Sequence, residues 1–466
     1  MGYFDGASTQ AQQGNPSAEE LEKALSAGYG TNSASFINGR AMIPENCETT
    51  MVNVVAELKE DCKLFNSMKT VPVASTVHEE NRRTSHGDYR FLSTPEGGKS
   101  RATDQSVERV FYEQKYLQTF RSVTKQMEVV RTFEDAYTSE KIGGVETICK
   151  GAEFNMFHGD STVVPTDWDG FPAAIRKSKN PNILDLRGDS IGTRGESLFD
   201  DIAQQVWDRG GDLSKAFFPS VLARDIKELF TDRIRMMVKD QKATFDQLPD
   251  YPTAIGSTVR FSGPNTGADK FFHVKGPVSP TGDPNERPAK PTTVAGAALT
   301  SQAGSKFLAA DAGVYKYAVY AVNPNGISEG TTIAADAGVT VVANGGIQLT
   351  ITPDISKPVT GYIIARTAKD GSVKMELVQI ADSGSATTVF VDLNDDLPGT
   401  GSMLFLTEQR VTPVYRFGQL LPVSTYPLYP TDRAVTPFLV ILYGALEVSA
   451  PEFCALVKNI HYEKGL

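Results

Sequence analysis

Hydrophobic and polar positions change texture several times along this chain. In "ETTMVNVVAELKEDCKLFNSM" apolar residues recur at 51, 54, 55, 58 and 64–65, close to helical spacing, which predicts an amphipathic helix. From 76 the pattern alternates and fills with charge. "TVPVASTVHEENRRTSHGDYRFLSTPEGG" and "SVERVFYEQKYLQTFRSVTKQMEVV" predict two long strands joined by a polar tip, with no compact apolar face of their own. Apolar residues then fall at 133, 136–137, 142, 145, 148, 152, 154 and 156–157. That spacing predicts a helix over Glu134–Phe157, stopped by Gly159 and nearly 40 Å long at about 1.5 Å per residue. Two more helices are predicted at Glu196–Asp208 and Ser220–Phe230, with Ser220 a candidate cap.

Five prolines between 277 and 291 read as a linker. From about 286 to 408 the text is all strand. "GVYKYAVYAVNPNGISEG" alternates and then turns at Asn-Gly. "GGIQLTITP", "TGYIIARTAKDGS", "KMELVQIAD" and "TTVFVDLND" follow at near-regular spacing, which predicts a β-sandwich. The longest apolar run comes late, from Pro437 to Leu446 without a charge, and Glu447 ends it. A bilayer-crossing helix needs about 20 apolar residues, so a buried strand is the expectation and no transmembrane span is predicted.

Composition narrows the class. A length of 466 residues suggests roughly three domains. The start, Gly-, Ser-, Gln- and Asn-rich to about residue 35 with a helical patch at Ala18–Ala27, reads as an arm. It has neither a basic n-region nor an apolar h-region, so no signal peptide is expected. Cys47, Cys62, Cys149 and Cys454 lie far apart with no CxxC, which fits a reducing interior rather than a disulfide or zinc scaffold. A net charge of -10 disfavours nucleic-acid binding by the whole surface. Residues 76–125 depart from that balance, with nine Lys/Arg against seven Asp/Glu.

Candidate chemistry is sparse. No H-E-x-x-H or G-x-x-x-x-G-K-[ST] motif occurs. His78 and His86 lie near Glu79, Glu80 and Asp88, where solvated charges outweigh a metal site. His158 ends the long helix, where a cation would suit the dipole. Asp167 and Asp169 in "DWDGFPAAI" suit a turn better than acid–base work. "RGDSIG" at 187–192 lacks the ligand spacing of a calcium loop. No catalytic residue, cofactor or metal is expected.

The order of arm, charged hairpin, long helix, α/β middle and apolar C-terminal strands, with "AGYG" (27–30), "EFNMFHGD" (153–160), "DWDGFPAAI" (167–175), "QLLPVSTYPL" (419–428) and "FLVILYGALEVSAPEFCALVKNIHY" (438–462), resembles the major capsid proteins of tailed bacteriophages. The nearest resemblance is to those of large phages of Gram-positive hosts that carry an Ig-like insertion. The resemblance implies an α+β, HK97-like capsid fold with an inserted all-β Ig-like sandwich. Residues 1–75 would be the N-terminal arm and first helix, 76–125 the E-loop, and 126–196 the P-domain with its spine helix. Residues 197–285 would be the A-domain, 286–408 the insertion, 409–430 the A-domain return and 431–466 the P-domain's closing strands. Phe438–Leu446 and Phe453–Ile460 would be adjacent strands turning at Ala450-Pro451. No Lys–Asn pair for covalent cross-linking can be carried over.

The implied function is self-assembly into an icosahedral shell around phage DNA, without catalysis. The partners implied are copies of this chain in hexamers and pentamers, packaged DNA on the inner face, and portal or decoration proteins, with no membrane. The site would be the virion capsid, assembled in the host cytoplasm. Glu79, Glu80, Arg82, Arg83 and Arg90 are then candidate inter-subunit contacts, weak singly but multiplied by symmetry. The sandwich, tethered by proline-rich linkers, would project outward. The alternative is a surface or secreted binding protein using an Ig-like adhesion module.

Overall fold

A computed structural model describes residues 62–90, 92–129, 135–230, 236–239, 242–245, 250–263, 265–407, 414–430 and 434–462. The arm, and most of the helix expected before residue 63, lie outside these residues. Along the chain, α1 (Lys63–Ser67) precedes β1 (Thr70–Pro72). A hairpin forms from β2 (Val77–Ser85) and β3 (Ser106–Glu113), shorter than expected: the predicted second long strand breaks at Gln114, and its continuation β4 (Lys115–Thr124) pairs in a different sheet. After α2 (Lys125–Val129) comes the long helix α3 (Ala136–His158), within two residues of its predicted bounds. Its stop is steric. Gly159 donates its N–H to Asn155 O, and a Cβ there would lie 2.4 Å from Trp168 O.

The middle of the chain is α/β. It runs through α4 (Phe171–Lys177), β5 (Ile183–Asp185), α5 (Ile191–Arg194), α6 (Ser197–Trp207), β6 (Leu213–Pro219) and α7 (Ser220–Leu229). Both later helices were legible from periodicity. Ser220 is not a cap: Pro219 holds that position and Ser220 is the first helical residue. Short strands follow, β7 (Met236–Lys239) with β8 (Lys242–Phe245), β9 (Tyr251–Pro252) with β10 (Thr258–Val259), and β11 (Gly267–Asp269).

The all-β stretch contains β12 (Thr293–Leu299), β13 (Gly313–Tyr315), β14 (Tyr317–Asn323), β15 (Gly326–Thr332) and β16 (Val339–Val341). It continues with β17 (Gly346–Thr352), β18 (Gly361–Thr367), β19 (Lys374–Ala381) and β20 (Thr388–Asp392). A sheet ordered β12-β17-β20 and another ordered β15-β14-β18-β19 bury one shared core, with Ile347, Leu349 and Ile351 from the first and Tyr317, Val319, Tyr362 and Ile364 from the second. Arg366 is buried in it, its charge matched by Asp392 at 2.6 Å and its guanidinium plane 5.0 Å from the Tyr315 ring.

The last strands are β21 (Gly401–Thr407), β22 (Tyr415–Pro427), β23 (Val435–Val448) and β24 (Ala455–Ile460). Here the structure corrects two expectations. Strand β21 reads like part of the sandwich but lies between β6 and β24, in a sheet ordered β11-β6-β21-β24-β5. And β23 and β24 are not partners: β23 lies between β22 and β4, and the 3₁₀ turn Pro451–Phe453 carries the chain into the other sheet. Pattern alone could not separate them, because a buried strand has the same apolar text in either sheet.

Two compact units divide the described chain. The first takes 116–151 and 421–443, the second 59–115, 152–420 and 444–466. In the first, α3 covers β23: Tyr137 meets Phe438 edge-on at 5.1 Å, and a side chain at Gly144 would lie 2.7 Å from Val440 Cγ2. The uncharged run is therefore a strand flanked on both edges and covered by a helix. In the second unit, Phe199, Ile202 and Val206 of α6 and Leu222 and Ile226 of α7 pack with Phe218, Phe405 and Val457 of the five-stranded sheet. Each such side chain contributes about 1.5–3 kcal/mol on burial.

Glu153, fully buried near the end of α3, accepts the Leu64 and Phe65 N–H groups at 2.8 and 2.6 Å and so docks the start of α1. Burial, reinforced by the like charge of buried Asp269, pushes its pKa up to about 8. A carboxyl whose pKa is higher folded than unfolded stabilises the fold at low pH and loses that contribution as pH rises through the folded value. Denaturant titrations should show stability falling by roughly 2–4 kcal/mol between about pH 5 and pH 9. Glu153→Gln should flatten most of that slope, and an unchanged slope would refute the assignment.

Candidate functional site

The hairpin pairs in register from Val77↔Glu113 to Arg83↔Val107, with an irregularity before Ser85↔Ser106. Alternation gives it two faces. His78, Glu80, Arg82, Glu108, Val110 and Tyr112 share one, each partly shielded, while Glu79, Asn81, Arg83, Val107, Arg109 and Phe111 stand exposed on the other. Val107 and Phe111 keep 60% and 56% of their surface in solvent. The described residues of the tip, 86–105, form no helix or strand.

The shielded face ends in a charge network at the hairpin's root. Glu447, on β23, has no solvent exposure. Its Oε1 lies 2.8 Å from His78 Nδ1, and its Oε2 accepts from Arg416 Nε at 2.6 Å. Arg416 also reaches Glu80 at 3.4 Å, and Glu80 accepts the Ser449 hydroxyl at 2.7 Å. Arg82 donates to Ser449 O at 3.2 Å and to Glu108 at 2.9 Å, and Tyr112 donates to Val448 O at 3.0 Å. Lys179, 2.8 Å from Glu108, acts with Arg82 to hold that carboxyl down at about 2. Burial, then the charges of Glu80 and Glu447, push the Tyr112 hydroxyl well up. Burial opposes the Arg416 charge, but Glu447 and Glu80 outweigh it and raise its pKa.

The five hairpin residues singled out from sequence thus divide. Glu80 and Arg82 face inward and bind the chain's own β22 and the β23 end. Glu79 faces outward, 3.5 Å from Arg109, and Arg83 stands exposed beside it. Arg90 lies at the tip, 3.6 Å from Asp88. Sequence reading missed Glu447, Arg416, Ser449, Tyr112 and Lys179, which lie tens to hundreds of residues from their partners. One signal was present: a carboxylate that closes an apolar run in a buried strand must find cations.

The remaining candidates are structural. Asp169 accepts the Ser161 N–H and pairs with Lys177 at 2.6 Å, and Asp167 lies 3.5 Å from Asn155. His158 is no helix-end cation: its Nε2 lies 2.8 Å from Phe271 O, and burial pushes its pKa down to about 4. Within "RGDSIG", Ser190 caps α5 by accepting the Thr193 N–H. Among the described residues no group of three His, Cys, Asp or Glu side chains could hold a metal ion, and no helix is long and apolar enough to cross a membrane.

No family model matches the chain. Curated relatives do. A protein of Enterococcus phage phiEF24C is 23% identical over 460 residues, 95% of each chain. The major capsid proteins of Staphylococcus phages S25-3 and K are each 21% identical over the same 95% of both chains. Among solved structures, the capsid of a native GTA particle matches 92% of this chain and 100% of its own at 11% identity and a TM-score of 0.43. Mycobacterium phage Adephagia matches 88% and 94% at 8% identity and 0.43. The SrpI encapsulin of Synechococcus elongatus PCC 7942 matches 91% and 96% at 10% identity and 0.40.

Removing Glu447 would leave the shielded Arg416 with only Glu80, at 3.4 Å, and His78 with no carboxylate. Glu447→Ala should cost about 3 kcal/mol or more, read as a lower midpoint in denaturant. It should also speed tryptic cleavage at Arg83, Arg90 and Arg101, because the root no longer holds the hairpin. Unchanged cleavage would show that the network does not anchor it.

Proposed function

We infer that this chain is a major capsid protein of a tailed phage, the subunit from which the shell around the genome is built. One observation carries this: the match to phage major capsid proteins spans 95% of this chain and 95% of theirs, so the likeness is of whole subunits rather than of one shared module. The chain belongs to the virion capsid, and its work is structural.

In finer detail, we read the hairpin as the limb that reaches a neighbouring copy. Two strands with an exposed face are marginal alone, and Val107 and Phe111 sit uncovered among Arg83, Glu79 and Arg109. Covering such residues on assembly removes apolar surface from water. Glu79, Arg83 and Arg90 are the contacts proposed to cross between copies, while Glu80 and Arg82 fix the limb's angle from its root. The domain plan of arm, E-loop, P-domain and A-domain is proposed on the same basis.

The two-sheet module over 293–392 is read as Ig-like, presented on the outer side of the shell. The acidic chain would meet packaged DNA through short-range contacts on its inner side, since a net charge of -10 disfavours tight, sequence-independent binding. The rival, a surface or secreted adhesion protein, predicts a protein that stays monomeric when concentrated and is missing from virions.

The decisive measurement is mass spectrometry and electron microscopy of purified particles, in which this chain should be the most abundant shell component. Reversing charge at the exposed positions, Arg83→Glu with Arg90→Glu, should leave the subunit's stability within about 0.5 kcal/mol. It should cut the yield of closed shells seen by negative stain at least severalfold. Normal shells from the double variant would remove these residues from the interface.

A further inference from the structure

A cleft of about 630 Å³ lies beside the hairpin, entirely within the second unit. Glu108, Arg109, Val110, Phe111, Tyr112 and Glu113 all line it, whereas β2 contributes only Arg82. Successive residues of a strand point to opposite faces. A cleft on one face would therefore touch alternate residues, so contact with six in a row means that it follows the strand's edge. Among the described residues β3 pairs with β2 alone, so alternate N–H and C=O groups along that edge have no strand partner.

The opposite wall comes from 161–179 and from the β23 end. It places Trp168, Leu446, Val448 and Pro451 beside Lys177 and Lys179. The whole lining holds five cations against three carboxylates, a reversal of sign on a chain of net charge -10. Lys179 is 73% and Arg109 61% exposed at the side chain, which leaves them donors to spare. Three polar atoms on lining residues are sealed from solvent without a partner among the described residues: Trp168 Nε1, Arg82 Nε and Ser178 Oγ. Two of these can only donate, and a buried donor without an acceptor costs about 1–3 kcal/mol.

We propose that this cleft receives an extended acidic peptide segment of a partner polypeptide, which adds to the free edge of β3 as a further strand. Its main chain completes the ladder. Its carboxylates meet Arg109, Lys177 and Lys179, and its apolar residues lie against Phe111, Trp168 and Val448. The site belongs to the single subunit, so it stands whether or not the chain closes into a shell.

The test uses the full chain carrying Trp207→Phe, which leaves Trp168 as the only tryptophan of the two in the sequence. The probe is acetyl-(Val-Val-Glu-Glu)2-amide, which as a strand carries carboxylates and apolar side chains on both faces, read by Trp168 emission. Saturable binding is expected, weakening as salt rises. It should fall about tenfold or more in Arg109→Glu/Lys179→Glu, both surface positions. The lysine counterpart, acetyl-(Val-Val-Lys-Lys)2-amide, should not bind. An acidic probe N-methylated at alternate residues should fail too, because it cannot form the ladder. Absence of saturable binding would overturn the proposal. So would equal binding of the lysine or N-methylated peptide, or displacement by inorganic phosphate at the peptide's own concentration.

Discussion

The buried carboxylate of Glu447 is the constraint on which the rest of the hairpin depends. A charge taken out of water costs several kcal/mol unless it is paired and hydrogen-bonded. Its partners come from two places, Arg416 on β22 and His78 on β2. Satisfying the carboxylate therefore pins the first residues of the hairpin to strands far away in sequence. Gly418 makes room for it: a Cβ there would stand 2.2 Å from Glu447 Oε1. A buried ion pair is a poor source of net stability, but it is costly to break and so selects one geometry. Here the geometry selected is the angle at which a limb without a core leaves the body.

The same logic explains what was legible in the sequence. Helix α3, helices α6 and α7, the hairpin strands and the strands β14 and β17 to β20 are all local patterns, and each was readable within its own window. What failed was partner choice. "SMLFLT" reads as another sandwich strand, but β21 pairs Leu404↔Phe217 on one side and Leu404↔Leu456 on the other. Nothing within six residues encodes partners some fifty and nearly two hundred positions away. The hairpin root failed for the same reason. His78 and Glu80 looked like solvated charges because Glu447, Arg416 and Ser449 are more than 330 residues further on.

The sandwich shows how misleading composition can be about stiffness. Its proline-rich approach reads as a loose tether. Yet Thr281 bridges Ile327, Lys357 donates to Pro284 O, and Arg287 pairs with Glu329 at 3.4 Å, so the strap is bound to the module it leads into. At the exit, Lys306 pairs with Asp185 at 2.9 Å and with Asp395, and Lys458 reaches Asp395 at 2.6 Å. Asn459, held at φ 59°, donates to Asp185 and to Asp395 O and accepts the Leu397 N–H. Proline here limits the unfolded chain's freedom, and the charge network fixes the folded position.

A strong root and a weak tip suit the limb that the hairpin is proposed to be. If the tip carried the tight, desolvated pairs, a subunit docked in the wrong place would stay there, because breaking such pairs costs several kcal/mol each. Exposed pairs of the kind the hairpin makes within itself, Glu79 with Arg109 or Arg90 with Asp88, are worth about 0–1 kcal/mol, so a wrong contact made of such pairs would dissociate quickly. The root cannot be weak in the same way. A hairpin that swung freely would lose the entropy of its whole arc on every correct docking, and rigid presentation avoids that loss. On the proposed reading of the hairpin as an inter-subunit limb, placing the buried charges at Glu447 and the solvated ones at the tip would give reversible contacts at a fixed angle, which closed symmetry would add into a stable whole.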